Sequence, residues 1–548
     1  MREIKKFQFV VPNTRWFGKR WWGFDVPGVT VLAPLLKKNG YDVDILEGNM
    51  DNLSPDEVRQ GIKDYAPDVV GISNMSIEYW SQLHEVAKLA KEVNKDIITI
   101  AGGVHATTLP ERLMQDTNVD YTVLSEGEDR LFVLLDILKK DDGDFSSMNG
   151  ILYRENGEVK KKVNVGWYGM KKDTGSLNDI YPPDLSIYKH PEKMFNQQSK
   201  AAGGMSTRRT PVGSILTSRG CPYKCSFCAS PVTTGQKMRF RSPENVLSEI
   251  DMLVNDYGVR EIIFQDDEMY ADKRRATQIV QMIKDRKYKD LIWKNLNIAS
   301  WRMDFELVKL MKESGCYQMT ISAESGNPRV LKEIIHKPTD TEMARKVVGW
   351  CKEVGIEVQV DFVIGFPGET WDEIRDTTNY AYELDADSVK FAVATPFPAT
   401  ELLRVAVAKG MFPADYDFYT HDYLGFANPT METEHWTAQD LKILRVMEWD
   451  RINFRNEEKK KRYAKLNELT MEELEEFRVQ TRKSLGHFFV DGATEDRKEK
   501  SNMEESELEK GERILKTKES ESEKWERIRK TAAQQASVSN GDTNHEII

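Results

Sequence analysis

Two series of short apolar segments, each alternating with amphipathic stretches, constrain the fold of this 548-residue chain more than any other feature. The first series lies within residues 1–140, and its strand-like segments are 7–13, 41–48, 68–74, 96–103 and 120–128. The stretches between them, such as YWSQLHEVAKLAKEVN, have the periodicity of helices. This alternation predicts a doubly wound parallel sheet, and such sheets bind ligands at the carboxyl ends of their strands.

The second series begins at GSILTSRG and has the same alternating character. Its further strand-like segments are 261–267, 296–302, 318–325, 357–365 and 388–397. Helical stretches such as SPENVLSEIDMLVNDYG separate them. Repeated strand and helix units of this kind predict a full or partial (β/α) barrel, whose active site would lie at the carboxyl ends of the strands.

The rest of the chain is less regular. Residues 150–165 alternate around the turn sequence ENGE and predict a β-hairpin, whereas residues 166–210 lack periodicity and predict a connector. Beyond about residue 411 the pattern is loop-rich and then helical. The final segment is rich in Glu, Lys and Ser and has few apolar residues, so it is expected to be disordered or loosely helical.

We therefore expect an α/β chain in five parts. These parts are a Rossmann-like domain, a hairpin with a connector, a partial (β/α) barrel, a mostly helical capping region and a charged tail. Their expected bounds are 1–145, 146–210, 211–410, 411–490 and 491–548.

Composition and charge exclude several classes of protein. The net charge of −11 argues against a general nucleic-acid binder, which needs a basic face to neutralise phosphates. No apolar run approaches the ~20 residues of a membrane span, and the amino terminus lacks the apolar region of a secretion signal. Five cysteines, three of them clustered, indicate a metal or redox site in a reducing compartment. We expect a cytoplasmic protein.

The cluster lies in the sequence RGCPYKCSFCAS, which places Cys221, Cys225 and Cys228 at spacings of four and three. A structural zinc ion takes four protein ligands, yet no histidine occurs between His190 and His336 and the other two cysteines lie far along the chain. An iron–sulfur cube fits better, because three thiolates would leave one iron without a protein ligand. A small molecule with an amine and a carboxylate can chelate that open iron.

The Cys-x₃-Cys-x₂-Cys spacing after a strand resembles the signature of the radical S-adenosylmethionine (SAM) superfamily. The resemblance implies a [4Fe-4S] cluster held by Cys221, Cys225 and Cys228. SAM would chelate the open iron, accept an electron into its sulfonium and release a 5′-deoxyadenosyl radical. The resemblance also implies a partial barrel whose first strand leads into the cysteine loop, here residues 219–230.

Further stretches downstream resemble SAM-contacting segments of the same superfamily. Phe227 would pack against the adenine, the acids of FQDDEMY would accept from the amine, and Arg302 would pair with the carboxylate. The bare backbone of VDFVIGFPGET would allow SAM to approach. Helix capping or surface ion pairing is the alternative for each polar residue. The residues that the resemblance assigns to SAM are Phe227, Asp266, Asp267, Glu268, Arg302, Ser322, Glu324 and Gly365.

The N-terminal part resembles the cobalamin-binding domain found in one branch of that superfamily. The familiar motif of this domain is Asp-x-His-x-x-Gly, in which the histidine ligates cobalt from below. Here Asn13, Arg15 and Gly18 stand in those positions. Because a guanidinium stays protonated, Arg15 is a poor metal ligand, and we expect cobalt to lack a histidine beneath it.

Other positions keep the character of a cobalamin site. ISNMS supplies a serine and a methionine that would line the nucleotide tail, and two strand-end glycines would let a bulky ligand lie on the backbone. We expect His105 to hydrogen-bond locally instead of ligating a metal. The residues assigned to cobalamin by the resemblance are Asn13, Arg15, Ser73, Met75, Gly102, Gly103, Glu126 and Gly127.

The resemblance implies a cobalamin-dependent radical SAM enzyme that uses a [4Fe-4S] cluster, SAM and cobalamin, and that methylates an unactivated carbon. A radical SAM cyclase or rearrangement enzyme, with or without cobalamin, is the alternative, and a non-catalytic iron–sulfur sensor is a third. The expected partners are a small-molecule or lipid-like substrate and a one-electron donor such as flavodoxin or ferredoxin. No motif identifies a catalytic residue beyond the cofactor ligands, and none identifies the substrate.

Overall fold

The structure is a computed structural model that describes residues 3–141, 143–163, 176–195, 206–412, 428–433 and 435–483. The tail expected at 491–548 lies outside the described residues, as do parts of the connector and of the capping region. In the part of the chain that is described, no helix is both long and apolar enough to cross a membrane.

The N-terminal part folds around a seven-stranded sheet. Its strands are β1 Lys6–Val11, β2 Asp42–Glu47, β3 Val69–Asn74, β4 Ile98–Gly103, β5 Tyr121–Val123, β6 Ile151–Glu155 and β7 Glu158–Lys162. They lie in the order β2-β1-β3-β4-β5-β6-β7, and the pairs among β1 to β5 are parallel. The expected parallel sheet is therefore present.

Helices cover both faces of this sheet. They are α1 Pro27–Lys38, α2 Pro55–Tyr65, α3 Trp80–Val93, α4 Val104–Thr108, α5 Pro110–Leu113 and α6 Arg130–Lys140. Alternating residues of β1 show why both faces are covered. Phe7 and Phe9 pack into the core that contains α1 and α6, while Val10 packs into the opposite core with α2 and α3. Apolar side chains on both faces of a strand require a layer on each side.

The hairpin expected at 150–165 belongs to this sheet. Strand β6 pairs antiparallel with β5 and with β7, and Asn156 and Gly157 at the turn have positive φ angles. Two expectations need adjustment here. The strand predicted at 120–128 ends at Val123, and the sheet continues past residue 145. We propose that the first domain extends to about residue 162.

The second part is a partial barrel. Its strands are β8 Val212–Ile215, β9 Ser218–Arg219, β10 Arg239–Phe240, β11 Glu261–Phe264, β12 Ile292–Ile298, β13 Cys316–Glu324, β14 Glu357–Ile364 and β15 Ser388–Val393. Six of them form a parallel sheet in the order β8-β11-β12-β13-β14-β15, and β9 pairs antiparallel with β10. The strand predicted at 296–302 begins earlier, and Ser300–Arg302 forms a 3₁₀ turn after it.

Helices connect the strands of the barrel and follow it. They are α7 Ser230–Thr233, α8 Pro243–Asp256, α9 Lys273–Arg286, α10 Phe305–Glu313, a π-helix at Val330–Ile334, α11 Thr341–Val354, α12 Trp371–Leu384, α13 Glu401–Ala408, α14 Ala438–Asn453, α15 Glu457–Leu466 and α16 Met471–Lys483. Polar side chains cap several of these helices; for example, Thr370 accepts from the backbone of Glu373.

The described part of the expected capping region lies at the edge of the barrel sheet. Asn453 of α14 accepts from the backbone N–H of Val389 and donates to its carbonyl, both at 2.8 Å. It thereby pairs the free edge of β15 as a neighbouring strand would. The segment 413–427, which was expected to cover the barrel opening, lies outside the described residues.

Candidate functional site

The cysteine loop follows β9 at the carboxyl end of the barrel. Gly220 has a φ of +92°, and a Cβ there would lie 2.6 Å from the carbonyl oxygen of Lys237, so only glycine fits. Further along, the Ser226 N–H donates to the Ile335 carbonyl at 3.0 Å, and the Leu402 N–H donates to the Ser226 carbonyl at 2.8 Å. The loop is thus tied to the chain on two sides.

The three thiols of this loop are partly buried and free of disulfides. Burial raises the pKa of Cys221 and of Cys225 to about 12, and it also raises the pKa of Cys228. Such thiols ionise when a metal centre binds them, so binding releases protons. No three His, Cys, Asp or Glu side chains in the described segments surround a single ion position. Because each thiolate of an iron–sulfur cube binds a different iron, Cys221, Cys225 and Cys228 need not surround one ion position to hold a cluster.

Arg302 lies against the cysteine loop. Its Nε donates to the hydroxyl of Tyr223 at 2.7 Å, and Trp301 Nε1 donates to the same oxygen at 2.9 Å. Tyr223 is one of the residues between the first two cysteines. The predicted cation is therefore held next to the predicted cluster ligands.

A buried ion pair lies at the carboxyl end of β13. Lys337 Nζ is 2.6 Å from Glu324 Oε1 and also donates to the Ser322 carbonyl at 2.8 Å. Lys337 is a further candidate for contact with SAM that the sequence analysis missed. A single lysine after a helical turn has no motif, so only the fold reveals its position.

The three consecutive acids after β11 face different surroundings. Asp266 is buried and accepts from the N–H and the hydroxyl of Thr217 at 3.0 and 2.7 Å, so it holds the end of the first barrel strand. Asp267 accepts from Ser230 and Thr234 at 3.0 and 2.7 Å. Burial raises the pKa of Glu268 to about 7, against the opposing charges of nearby Arg302 and Lys337.

Glu268 has both of these cations among the charges acting on it, whereas the cation acting on Asp266 is Arg275. A carboxyl with this pKa, next to cations and close to the cysteine loop, is the best placed of the three to contact a zwitterionic ligand.

The remaining residues predicted to contact SAM have protein partners. The Phe227 ring lies 5.9 Å from that of Phe366, and Ser322 donates to the side chain of Asn297 at 3.0 Å. Gly365 has a φ of +86°, and a Cβ there would lie 2.5 Å from Leu441 Cδ1. The glycine at this position therefore makes room for α14, and the approach of SAM to its backbone stays a prediction.

A cavity of about 290 Å³ lies between the carboxyl edge of the first sheet and that of the barrel. Its lining from the first domain includes six residues that were predicted to contact cobalamin, namely Ser73, Met75, Gly102, Gly103, Glu126 and Gly127. A Cβ on Gly102 would meet nothing closer than a backbone oxygen at 3.9 Å. The floor of the cavity is thus flat and open at this point, which fits a large planar ligand.

Asn13 and Arg15 lie away from this lining. Asn13 Nδ2 donates to Asn52 Oδ1 at 3.0 Å and to the Leu53 carbonyl at 3.1 Å, while Arg15 donates to the Asn49 carbonyl at 3.0 Å. They fasten the loop after β1 to the loop after β2.

His105 is also outside the lining of the cavity. It is buried, its ring lies 5.9 Å from that of His84, and burial lowers its pKa to about 3.

Ion pairs that the sequence analysis missed join the two edges. Arg219, the first residue of the cysteine loop, lies 2.7 Å from Glu128, and Arg239 Nη2 donates to Glu126 Oε1 at 2.7 Å. Ser125 donates to the Thr233 carbonyl at 2.8 Å. The walls of the cavity are therefore fixed to one another by largely buried polar contacts.

Two family models and several methyltransferases match this chain. Residues 215–381 match the model of the Radical SAM superfamily, and residues 24–135 match that of the B12 binding domain. An uncharacterized methyltransferase from Pyrococcus horikoshii is 31% identical over 451 residues, which cover 81% of this chain and 91% of the relative. A cytidylyl-2-hydroxyethylphosphonate methyltransferase from Streptomyces wedmorensis is 32% identical over 434 residues, covering 72% and 80%.

A solved structure supports the arrangement of the two parts. The structure of OxsB, a cobalamin-dependent S-adenosylmethionine radical enzyme with aqua-cobalamin bound, matches with a TM-score of 0.64 and 17% identity. The match covers 99% of this chain and 82% of that chain. At this identity the likeness concerns the fold.

Proposed function

The chain belongs to the radical SAM superfamily and carries a B12 binding domain, and from this premise we propose that it methylates an unactivated carbon of a small molecule. The observation that carries the proposal is the cavity shared by the two carboxyl edges. When bound, the cluster supplies an electron to SAM and cobalamin supplies a carrier for a methyl group.

The residues of the chain divide this work between the two edges. Cys221, Cys225 and Cys228 would hold the cluster. Lys337 and Arg302 would orient the carboxylate of SAM, and the carboxyls near them would accept from its amine. Support comes from the burial of the Glu324–Lys337 pair, since a water-poor environment strengthens such contacts.

The first sheet would supply the neutral floor. Gly102 and Gly103 end β4 without side chains, and Ser73 and Met75 flank them on the neighbouring segment. A flat ligand on this floor would face the barrel across the cavity. The contacts between the two edges would hold both ligands in register and exclude water from the space between them.

The proposal is tested with protein reconstituted anaerobically with iron, sulfide and hydroxocobalamin, then given dithionite and SAM. We expect 5′-deoxyadenosine and S-adenosylhomocysteine as separate products, and cobalamin absorbance that survives gel filtration. Release of 5′-deoxyadenosine alone, without retained cobalamin, would instead indicate a radical enzyme that transfers no methyl group. If no 5′-deoxyadenosine forms, the chain does not cleave SAM reductively and the proposed radical chemistry is wrong.

The same chemistry implies a partner and a compartment. A one-electron donor such as flavodoxin or ferredoxin would reduce the cluster, and the substrate would be a small or lipid-like molecule. We place the protein in the cytoplasm, because thiols that hold such a cluster persist in a reducing compartment.

A further inference from the structure

Gln265, which directly follows β11, lines two cavities at once. One is the cavity of about 290 Å³ between the two edges, and the other is a chamber of about 30 Å³ behind it. Its backbone N–H donates to the Ile215 carbonyl at 3.0 Å, which fixes the position of the residue. Its side-chain Nε2 is shielded from solvent and has no hydrogen-bond partner within the described part of the chain.

The carboxylates that line the smaller chamber accept hydrogen bonds from other residues and not from Gln265. Asp25 lies there and accepts from Ser214 at 2.7 Å and from Thr30 at 3.3 Å, while Glu249 accepts from Arg241. A buried amide donor without a partner costs about 1–3 kcal/mol. An acceptor supplied from the larger cavity would remove that cost.

We propose that Gln265 is a cobalamin-binding residue contributed by the barrel, whose Nε2 donates to an amide oxygen on the rim of the corrin. The inference rests on the proposed function, because it takes cobalamin as the occupant of the larger cavity. The corrin rim carries primary amides, so acceptor oxygens are present around the ring. Gln265 thus gives the barrel its own hold on a ligand that lies on the first sheet.

The test compares Gln265→Leu with the wild type in the reconstituted full-length protein. The dissociation constant of hydroxocobalamin is measured by equilibrium dialysis, and the melting temperature is measured without cobalamin. We expect binding to weaken by roughly two- to tenfold, the effect of one hydrogen bond. The melting temperature should stay the same or rise, because leucine removes an unpartnered buried donor.

Two further variants complete the design. Gln281→Leu makes the same change on α9, where the amide bonds to Asp285, and should leave hydroxocobalamin binding unchanged. Gln265→Asn keeps the amide but shortens the side chain by one methylene, so it should also weaken hydroxocobalamin binding. It replaces the leucine variant as the test if that variant does not fold.

Binding within twofold of wild type in both Gln265 variants would overturn the inference and leave the proposed function intact. A fall in melting temperature that accompanies weaker binding would also overturn it, since it would mark a structural role. Failure of the wild type to bind hydroxocobalamin would overturn the cobalamin part of the proposed function together with the inference.

Discussion

The two carboxyl edges that meet in this molecule have different chemical characters. The barrel edge presents charges, among them the buried Glu324–Lys337 pair, Arg302 and Glu268. The edge of the first sheet presents glycine, serine and methionine on the floor of the cavity, and its carboxylates Glu126 and Glu128 are paired with arginines of the barrel. A charged edge suits a zwitterion bound at a metal cluster, whereas a flat floor without charged side chains suits a large planar ring. The proposed function uses this difference, with one ligand at each edge.

The largest expected effect comes from removing a cluster ligand at the charged edge. Cys225→Ser should lower the iron content of anaerobically reconstituted protein to background and abolish the release of 5′-deoxyadenosine, because an alcohol is a poor substitute for a thiolate at iron. Iron analysis and chromatography of the nucleoside products measure both losses.

Cys351→Ala is the matched control, since this cysteine is buried in the core of the barrel, away from the cysteine loop. It should keep the iron content of the wild type, with some loss of stability. If Cys225→Ser retained its iron, the assignment of the cluster to this loop would be wrong.

The next largest effect is expected from a substitution at the edge of the first sheet. Gly102→Leu adds a side chain on the cavity floor, at a position where a Cβ would meet nothing closer than 3.9 Å and the backbone is outside the left-handed region. We expect hydroxocobalamin binding to weaken about a hundredfold, or by about 3 kcal/mol, while iron content stays normal. Equilibrium dialysis and iron analysis measure the two quantities.

Gly349→Leu is the control for this substitution, because Gly349 lies on α11, where a Cβ would meet nothing within 4 Å. It should change neither quantity. Equal loss of iron and cobalamin in Gly102→Leu would mean that the two edges do not act as separate sites.

The candidate residues of both sites could be proposed from local sequence patterns. The three cysteines lie within eight residues, and strand-end glycines follow from the strand pattern, so local spacing was enough. The alternation of strands and helices likewise predicted the parallel sheet of the first domain and the partial (β/α) barrel.

What the sequence could not reveal depends on contacts between distant segments. Glu128 meets Arg219, Leu441 fills the space at Gly365, and Gln265 lies between two cavities. None of these residues stands in a pattern that marks its partner. The acids after β11 were predicted as one group, but their side chains diverge, since neighbouring positions on an extended chain point to opposite sides.

A smaller effect is expected from weakening the junction between the edges. Arg239→Met removes one of the two arginines paired with Glu126 and should lower the free energy of unfolding by about 2 kcal/mol, because the bond joins two largely buried charges. Urea unfolding of the protein without cofactors measures this change.

Arg375→Met is the control for that variant, since Arg375 pairs with Asp372 on the exposed surface. It should change the free energy of unfolding by no more than about 0.5 kcal/mol. If both variants lost the same stability, the junction would contribute no more than a surface ion pair.

The smallest effect tests whether buried carboxyls of the barrel edge make stability depend on pH. Glu369 is fully buried below the turn at Gly365, whose N–H donates to Glu369 Oε2 at 2.6 Å, and burial raises its pKa to about 8. Because the folded state holds this proton more tightly than the unfolded state, the contribution is greatest below pH 4.5 and is lost as the pH rises to 8. Relative to Glu369→Gln, the wild type should lose stability throughout the range from pH 5 to pH 8, with about 1 kcal/mol of the loss between pH 7 and pH 8.

Glu373, one helical turn further on, provides a control of opposite sign. The side chain of Arg329 bonds to it and lowers its pKa to about 2, so its stabilising contribution is present above pH 4.5 and is lost only as the pH falls towards 2. The difference between the wild type and Glu373→Gln should therefore be constant from pH 5 to pH 8. Urea unfolding at four pH values in this range measures both slopes. A flat difference for Glu369→Gln as well would mean that water reaches this carboxyl, and that the barrel edge is less closed than its burial indicates.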